Sequence, residues 1–260
     1  MTERAVPGFL PSIHGLRFPN AFPPGPTIRV GPFDPRLLGI GDAADGLCGG
    51  MALTARDLWA AGLAAPSDAE PPANGSPRFR ALVRRQVQSL DWLRVPVRYL
   101  DLQALRPDPP SALALRLGRV PARVVSVEHE WPRIRAEIDG GRPCVVGLIR
   151  AAGLSPRLLA RHHQVLAWAY AEEGPAGQPD TAGPTATGAA RMTPGPMQIR
   201  LRIYDPNHPG RDDVTLWISV DAGDGLPAHQ RIRLGQSSGE PLLGFVRQPY
   251  PPSGSLRAWR

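Results

Sequence analysis

One cysteine between glycines is the residue of this chain best suited to covalent chemistry. Cys48 stands in the segment Gly46-Leu47-Cys48-Gly49-Gly50-Met51, directly before residues with the apolar spacing of a helix. A helix N-terminus carries partial positive charge, which favours a thiolate over a thiol. Small flanking residues allow the backbone of a substrate to approach. The pattern predicts that Cys48 is a nucleophile.

A histidine and an acid follow Cys48 in an order that suits this chemistry. His162 and His163 precede an apolar strand, and Asp205 and Asn207 lie in the later segment Tyr204-Asp205-Pro206-Asn207. A base beside a thiol removes its proton, and a third group orients the base. Neighbouring strand residues point to opposite faces, so only one histidine is the base. Apolar residues on both faces leave that choice open. We expect Asp205 to be the orienting group, with Asn207 as the alternative.

Helices precede strands along the chain, which predicts an α+β fold. Residues 1–45 are rich in proline and indicate an irregular N-terminal wrap with one strand at 27–30. Apolar periodicity predicts helices from Cys48 to before Pro66 and at 78–93, 111–117 and 128–139. It predicts strands at 143–149, 164–170, 197–204, 214–220, 230–234 and 242–246. Residues 172–197 are typical of a flexible insertion.

Composition narrows the function classes. The chain has 260 residues and a net charge of +7, but its basic residues are scattered arginines, so we expect no nucleic-acid binding. Cys48 and Cys144 have no metal-ligand spacing, and no phosphate-loop or dinucleotide motif is found, so we expect no metal and no cofactor. Cys144 lies in an apolar run and is expected to be buried. Without a secretory segment or a membrane span, the expectation is a cytoplasmic protein.

Three short motifs in a fixed order suggest a family. They are the cysteine at a helix start, a Trp-x-x-Ile-x-x-x-Ile-x-x-Gly-x-Pro unit at 131–143, and a His-Gln-Val-Leu strand followed by Ile-Tyr-Asp-Pro-Asn at 203–207. Over residues 10–250 the chain resembles the papain-like cysteine peptidase superfamily. Within it, the chain is similar to the bacterial bacteriocin-processing (double-glycine leader) peptidases.

The resemblance implies a single domain over residues 1–260, with a helical lobe at 46–140 packed on an antiparallel sheet lobe at 141–250. It implies an active site between the lobes, where Cys48 attacks a peptide or amide bond of a peptide or protein substrate. The histidine of the family motif matches His163 as the base, and Asp205 would orient it. The backbone N–H of Cys48 would contribute to the oxyanion hole.

One position departs from the family pattern. Papain-like enzymes usually carry a glutamine six residues before the nucleophile, whose amide binds the oxyanion, and here that position is Asp42. A carboxylate cannot stabilise a developing negative charge. Asn20 and His14 are candidate substitutes. The departure also keeps two alternatives open, a catalytically inactive papain-fold binding protein and a cysteine-dependent acyltransferase.

Overall fold

In the part of the chain that the structure describes, a seven-stranded antiparallel sheet, curled into a half-barrel, forms the frame. The computed structural model describes residues 1–25, 42–92, 94–174, 196–223, 226–253 and 256–259. The strands are β1 (Thr2–Ala5), β2 (Cys144–Ile149), β3 (His163–Glu173), β4 (Met197–Tyr204), β5 (Thr215–Val220), β6 (Ile232–Gln236) and β7 (Gly244–Arg247). Their order across the sheet is β6-β5-β4-β3-β2-β7, and β1 pairs with β3.

Helices cover the sheet and precede most of its strands, so the expected mixture of helix and sheet is confirmed. They are α1 (Pro11–His14), α2 (Cys48–Ala60), α3 (Pro77–Ser89), α4 (Arg94–Ala104), α5 (Ala112–Arg116), α6 (Ala122–Val125), α7 (Trp131–Asp139) and α8 (Ala228–Arg231). Ser76 caps α3, because its hydroxyl oxygen accepts the backbone N–H of Phe79 at 3.2 Å. None of the helices among these residues is long and apolar enough to cross a membrane.

Helix α2 lies between two apolar clusters, and this sandwiched position places Cys48 at a junction. Ala52, Leu53 and Ala55 face the sheet and pack in the larger cluster, which also holds the apolar side of α7. Met51 and Leu58 pack instead with residues of α3 and of the N-terminal segment. The sequence predicted a single apolar stripe on this helix, but residues 49–58 are buried on all sides.

Four expectations about the elements are corrected. The wrap at 1–45 contains β1 and α1, because the N-terminus pairs with an edge of β3. The helix predicted at 78–93 ends at Ser89, and α4 begins after a turn in which Asp91 and Trp92 have positive φ angles of 42° and 59°. A π-helical turn, Ser126–Glu130, joins α6 to α7, so this helical stretch starts earlier than 128.

The fourth correction concerns the insertion predicted at 172–197. Strand β3 continues to Glu173 and β4 begins at Met197, because the two strands pair up to Glu173 and Gln198. Residues 175–195 lie outside the described part of the chain, as does the strand expected at 27–30.

The C-terminal segment returns to the helices and joins them to the sheet. Tyr250 follows β7, and its hydroxyl donates a 2.6 Å hydrogen bond to Asp57 of α2. Arg85 of α3 donates to the same carboxylate oxygen at 2.9 Å and also to the carbonyl of Pro251 at 3.0 Å. The buried carboxylate of Asp57 therefore holds two helices and the chain after β7 together.

We expect Tyr250→Phe to lower the free energy of unfolding by about 2 kcal/mol, since it leaves a buried carboxylate short of one donor. Chemical denaturation of both proteins measures the difference. Tyr170→Phe is the matched control, because the hydroxyl of Tyr170 donates to Asp139, whose side chain is 40% exposed and can bind water instead. An equal loss in the two variants would contradict a specific role for the Tyr250 contact.

Candidate active site

Cys48 is the first residue of α2, and the local sequence explains why the helix begins there. A short 3-10 turn, Ala43–Asp45, precedes it, and Gly46 then adopts a φ of 92°, which favours glycine. The side chain of Asn20 accepts the backbone N–H of Leu47 at 2.7 Å. This bond ties the start of the helix to the N-terminal segment and fixes the direction in which the Cys48 side chain leaves the backbone.

The two glycines after Cys48 each make room for a neighbour. A Cβ on Gly50 would lie 2.4 Å from the carbonyl oxygen of Leu82, so glycine lets α2 and α3 approach closely. A Cβ on Gly49 would lie 2.1 Å from the side-chain oxygen of Gln164 and 2.3 Å from the hydroxyl of Ser89. The Cys-Gly-Gly sequence thus combines a nucleophile with two tight contacts.

His163 and Asp205 meet Cys48 at the end of the sheet. His163 is the first residue of β3, and its Nε2–H donates to Oδ1 of Asp205 at 2.7 Å. The ring also interacts with Cys48, since each of the two groups shifts the pKa of the other. Because Asp205 occupies Nε2, Nδ1 is the ring nitrogen that is left for the sulfur. The three residues that the sequence nominated are therefore brought together, with Cys48 partly exposed and the other two buried.

Electrostatics in this group favour a thiolate–imidazolium pair. Burial by itself raises the pKa of the Cys48 thiol, but the charge and hydrogen bond of His163 bring that pKa below its ordinary value. Backbone N–H groups of Gln164 and Gly49 act in the same direction. Burial opposes the charged ring of His163, yet Asp205 and the thiolate raise its pKa to about 9. Both shifts favour the state in which the sulfur carries the negative charge and the ring carries the proton.

The acid is held by a second group of residues that the sequence did not point out. Asp205 is fully buried and its Oδ1 also accepts the backbone N–H of Asn207 at 2.8 Å. Its Oδ2 accepts Nε2 of Gln236 at 2.7 Å, and the Gln236 oxygen in turn accepts a guanidinium N–H of Arg150 at 3.0 Å. Neither Gln236 nor Arg150 belongs to a short motif, so only their position in the fold reveals them.

The adjacent histidine has a different role. The Nε2–H of His162 donates to the side-chain oxygen of Gln103 at 2.7 Å, and its Nδ1 accepts the backbone N–H of Arg150 at 3.3 Å. Burial and then the charges of Arg150 and Arg161 lower the pKa of His162 to about 4. Both ring nitrogens are thus used by a neutral imidazole, which leaves neither of them for the sulfur.

The remaining candidates occupy supporting positions. Asn207 reaches Asp205 through its backbone, while its side chain accepts Nδ2–H of Asn20 at 3.2 Å. Asn20 therefore bridges the start of α2 and the loop of the acid. His14 stacks on the ring of Phe9, with centroids 5.5 Å apart, and accepts the N–H of Leu10. These contacts hold its ring in the first helical turn of the protein.

Asp42 caps the turn before Cys48. Its Oδ1 accepts the backbone N–H groups of Ala44 at 2.9 Å and of Gly25 at 3.1 Å. It lies on the wall of a cleft beside Cys48, whose apolar surface comes from Val87, Leu90, Pro96 and Leu159. The carboxylate is an acceptor in every one of these hydrogen bonds, so it shapes the turn and does not supply an oxyanion donor.

Three side chains near the acid have the composition of a metal site. Ligand atoms of Asp205, His208 and Glu240 lie within 4.8 Å of one another. Both Asp205 oxygens already accept hydrogen bonds, however, and the His208 ring is bonded to Glu240 at 3.1 Å. We therefore assign no metal to this cluster.

No protein-family model, curated protein or solved structure matches this chain. The resemblance to papain-like peptidases accordingly rests on the three sequence motifs. The geometry of Cys48, His163 and Asp205 is the independent observation to set beside them.

Proposed function

We propose that this protein is a papain-like thiol hydrolase that cleaves a peptide or amide bond. The observation that carries the proposal is the 2.7 Å hydrogen bond between Asp205 and His163, together with the electrostatic coupling of the His163 ring to Cys48, which lowers the pKa of the thiol. The supporting arrangement is a thiol at a helix N-terminus and an imidazole on the first residue of a strand in an antiparallel sheet. In this proposal α2 and the sheet are the parts of the two papain-like lobes that meet at the cleft.

The chemistry follows from the protonation states. The Cys48 thiolate attacks the carbonyl carbon, and the C=O electron pair moves to oxygen. As the tetrahedral intermediate collapses, the imidazolium of His163 gives its proton to the leaving amine and the C–N bond breaks. Neutral His163 then takes a proton from water, which attacks the thioester and releases the acid and the thiolate. Asp205 keeps the ring oriented and stabilises its charged form.

A backbone group is available for the oxyanion. The first turn of α2 has four N–H groups without a partner inside the helix. Within the described residues, the N–H of Leu47 binds Asn20 and that of Gly50 binds Gln86 at 2.8 Å, while that of Gly49 helps to lower the pKa of the Cys48 thiol. The N–H of Cys48 is the fourth. It is the donor to which we assign the substrate carbonyl oxygen.

Two alternatives share the same residues. The carboxylate at position 42, where papain-like enzymes have an amide donor, favours an inactive member that binds a peptide in its cleft. An acyltransferase would use the same triad, with an amine in place of water. Incubation of the protein with a peptide that it cleaves and with a competing primary amine separates transfer from hydrolysis. Only transfer yields an adduct between the acyl part of the peptide and the amine.

Cys48 should react with iodoacetamide at pH 6 at least tenfold faster than a thiol in an unstructured peptide, since its thiolate forms below the ordinary pKa. Mass spectrometry of the alkylated protein locates the modified residue. Cys144 is the internal control, because burial raises the pKa of its thiol to about 12.

A panel of peptides then tests hydrolysis, with Cys48→Ala as the inactive reference. We expect Cys48→Ala to lose cleavage. We expect Cys144→Ala to keep most of its cleavage activity. A Cys48 that alkylates no faster than the free peptide, together with equal cleavage by Cys48→Ala, would refute the proposed function. Fast alkylation without any cleavage or transfer would favour the inactive binding protein.

A further inference from the structure

A buried arginine lies behind the acid of the triad. Arg150 directly follows β2, and its side chain is 11% exposed. One guanidinium nitrogen donates to Gln236 at 3.0 Å and lies 3.8 Å from Oδ2 of Asp205. The Asp205 carboxylate therefore stands between two cationic groups, His163 on Oδ1 and Arg150 on Oδ2.

This arrangement affects how firmly His163 holds its proton. A thiolate on one side and a carboxylate on the other both stabilise the imidazolium, and a ring that is too basic is a poor proton donor to a leaving amine. A guanidinium beside the carboxylate acts against this excess. Its positive charge offsets part of the negative charge of Asp205 and repels the charged ring of His163, and both effects lower the pKa of His163.

We propose that Arg150 is a positioning residue that shares the charge of Asp205 and keeps His163 able to release its proton. The inference rests on the proposed function, which supplies the proton transfer that Arg150 would adjust. Gln236 links Arg150 to Asp205. Its amide orientation is set by Arg150 on the oxygen side, so its N–H faces the carboxylate.

Other charged groups face this site and belong to the balance. Glu240 and His208 lie near Asp205, and Glu240 is bound by His208 and by Ser238. On the opposite side stands Cys48. His162 contacts the backbone of Arg150, with its ring neutral at ordinary pH because its pKa is lowered to about 4. Arg150 is therefore a fixed cation that borders the buried carboxylate.

NMR titration of the His163 ring in the full chain tests the proposal. We expect the ring to titrate near pH 9 in the wild-type protein. Arg150→Met and Arg150→Gln should both raise this midpoint by about one pH unit, the usual effect of removing a nearby like charge. Arg150→Gln retains a polar group for Gln236, so it separates loss of charge from loss of packing. Arg150→Lys keeps the charge and should titrate close to the wild type.

The matched control is Arg123→Gln. Arg123 donates to the carbonyl of Ile232 on β6 at 2.9 Å and pairs with Asp108, away from the triad. It should leave the His163 midpoint in place. A purely structural role for Arg150 would leave the midpoint unchanged, or lower it by releasing Asp205 from the ring, and either result would overturn the proposal.

The outcome remains separable from that of the proposed function. If Cys48 in the wild-type protein alkylates like an ordinary thiol, the hydrolase assignment and the role of Arg150 both fail. If Cys48 is activated and the neutral variants at position 150 titrate like the wild type, only the role of Arg150 fails.

Discussion

His163→Gln should return Cys48 to an unreactive thiol. Glutamine can still donate to Asp205, but it carries no charge, so only the backbone N–H groups of Gln164 and Gly49 are left to offset the burial that raises the pKa of the Cys48 thiol. We expect alkylation at pH 6 to slow by at least about a hundredfold and hydrolysis to fall by about 10²–10⁴-fold. Rates of iodoacetamide labelling, followed by mass spectrometry, measure the first effect without knowledge of the substrate.

His162→Gln is the control that makes this experiment specific. The two histidines are adjacent in sequence and both are buried, yet of the two only His163 lowers the pKa of Cys48. Glutamine at 162 can keep the contact with Gln103, and the ring it replaces is uncharged near neutral pH. Labelling of Cys48 should stay within a few-fold of the wild type. A larger effect of the substitution at position 162 than of that at position 163 would contradict the assignment of His163 as the base.

Gly50→Ala should destabilise the whole protein. Its Cβ would lie 2.4 Å from the carbonyl oxygen of Leu82 and 3.1 Å from the backbone nitrogen of Gln86. Both atoms belong to the backbone of α3, so the two helices must separate. We expect a loss of about 3 kcal/mol in the free energy of unfolding, at the upper end of the usual cost of overpacking. Denaturant titration of the variant measures it.

Gly49→Ala separates this effect from damage to the site. Its Cβ would meet the ends of the Gln164 and Ser89 side chains, which can rotate away. We expect a smaller loss of stability than in Gly50→Ala. Cys48 alkylation should nevertheless slow, since Gln164 also gives its backbone N–H to the thiolate. Similar losses of stability at both positions would show that the side chains around Gly49 are as rigid as backbone.

Local pattern was sufficient for the elements with strong periodicity. Strands β2 and β4 and helix α2 begin at or within a residue of the predicted positions, because their apolar spacing is regular. Local pattern was not sufficient where the end of a helix or the pairing of a strand depends on contacts with distant residues. Nothing in the sequence marks the turn at Asp91 and Trp92 with a glycine or proline, so the helix at 78–93 was extended past the end of α3, and α4 was not predicted. The pairing of β1 with β3 was missed for the same reason, since β1 is short and fully exposed.

The order of the cysteine, histidine and aspartate along the sequence, with their local settings, was sufficient to nominate the residue types of the candidate site. A cysteine at a helix start, a histidine at a strand start and an aspartate before Pro206 each have a local setting that favours one role. For the base, the family resemblance named His163, while the residue pattern itself left His162 and His163 open. Strand alternation requires that they face opposite sides, but which side holds the sulfur depends on how α2 packs on the sheet.

By itself, the sequence determined the nucleophile candidate, the two adjacent candidates for its base, the carboxylate and the mixed helix-and-sheet class, because helix ends and strand periods are local properties. Tertiary structure alone decided that His163 meets Cys48, that Asp42 caps a turn, and that Arg150 and Gln236 stand behind Asp205. Those relations join residues from distant parts of the chain. Their distances are set by how α2 packs and how the sheet curls, and neither leaves a periodic trace in the sequence.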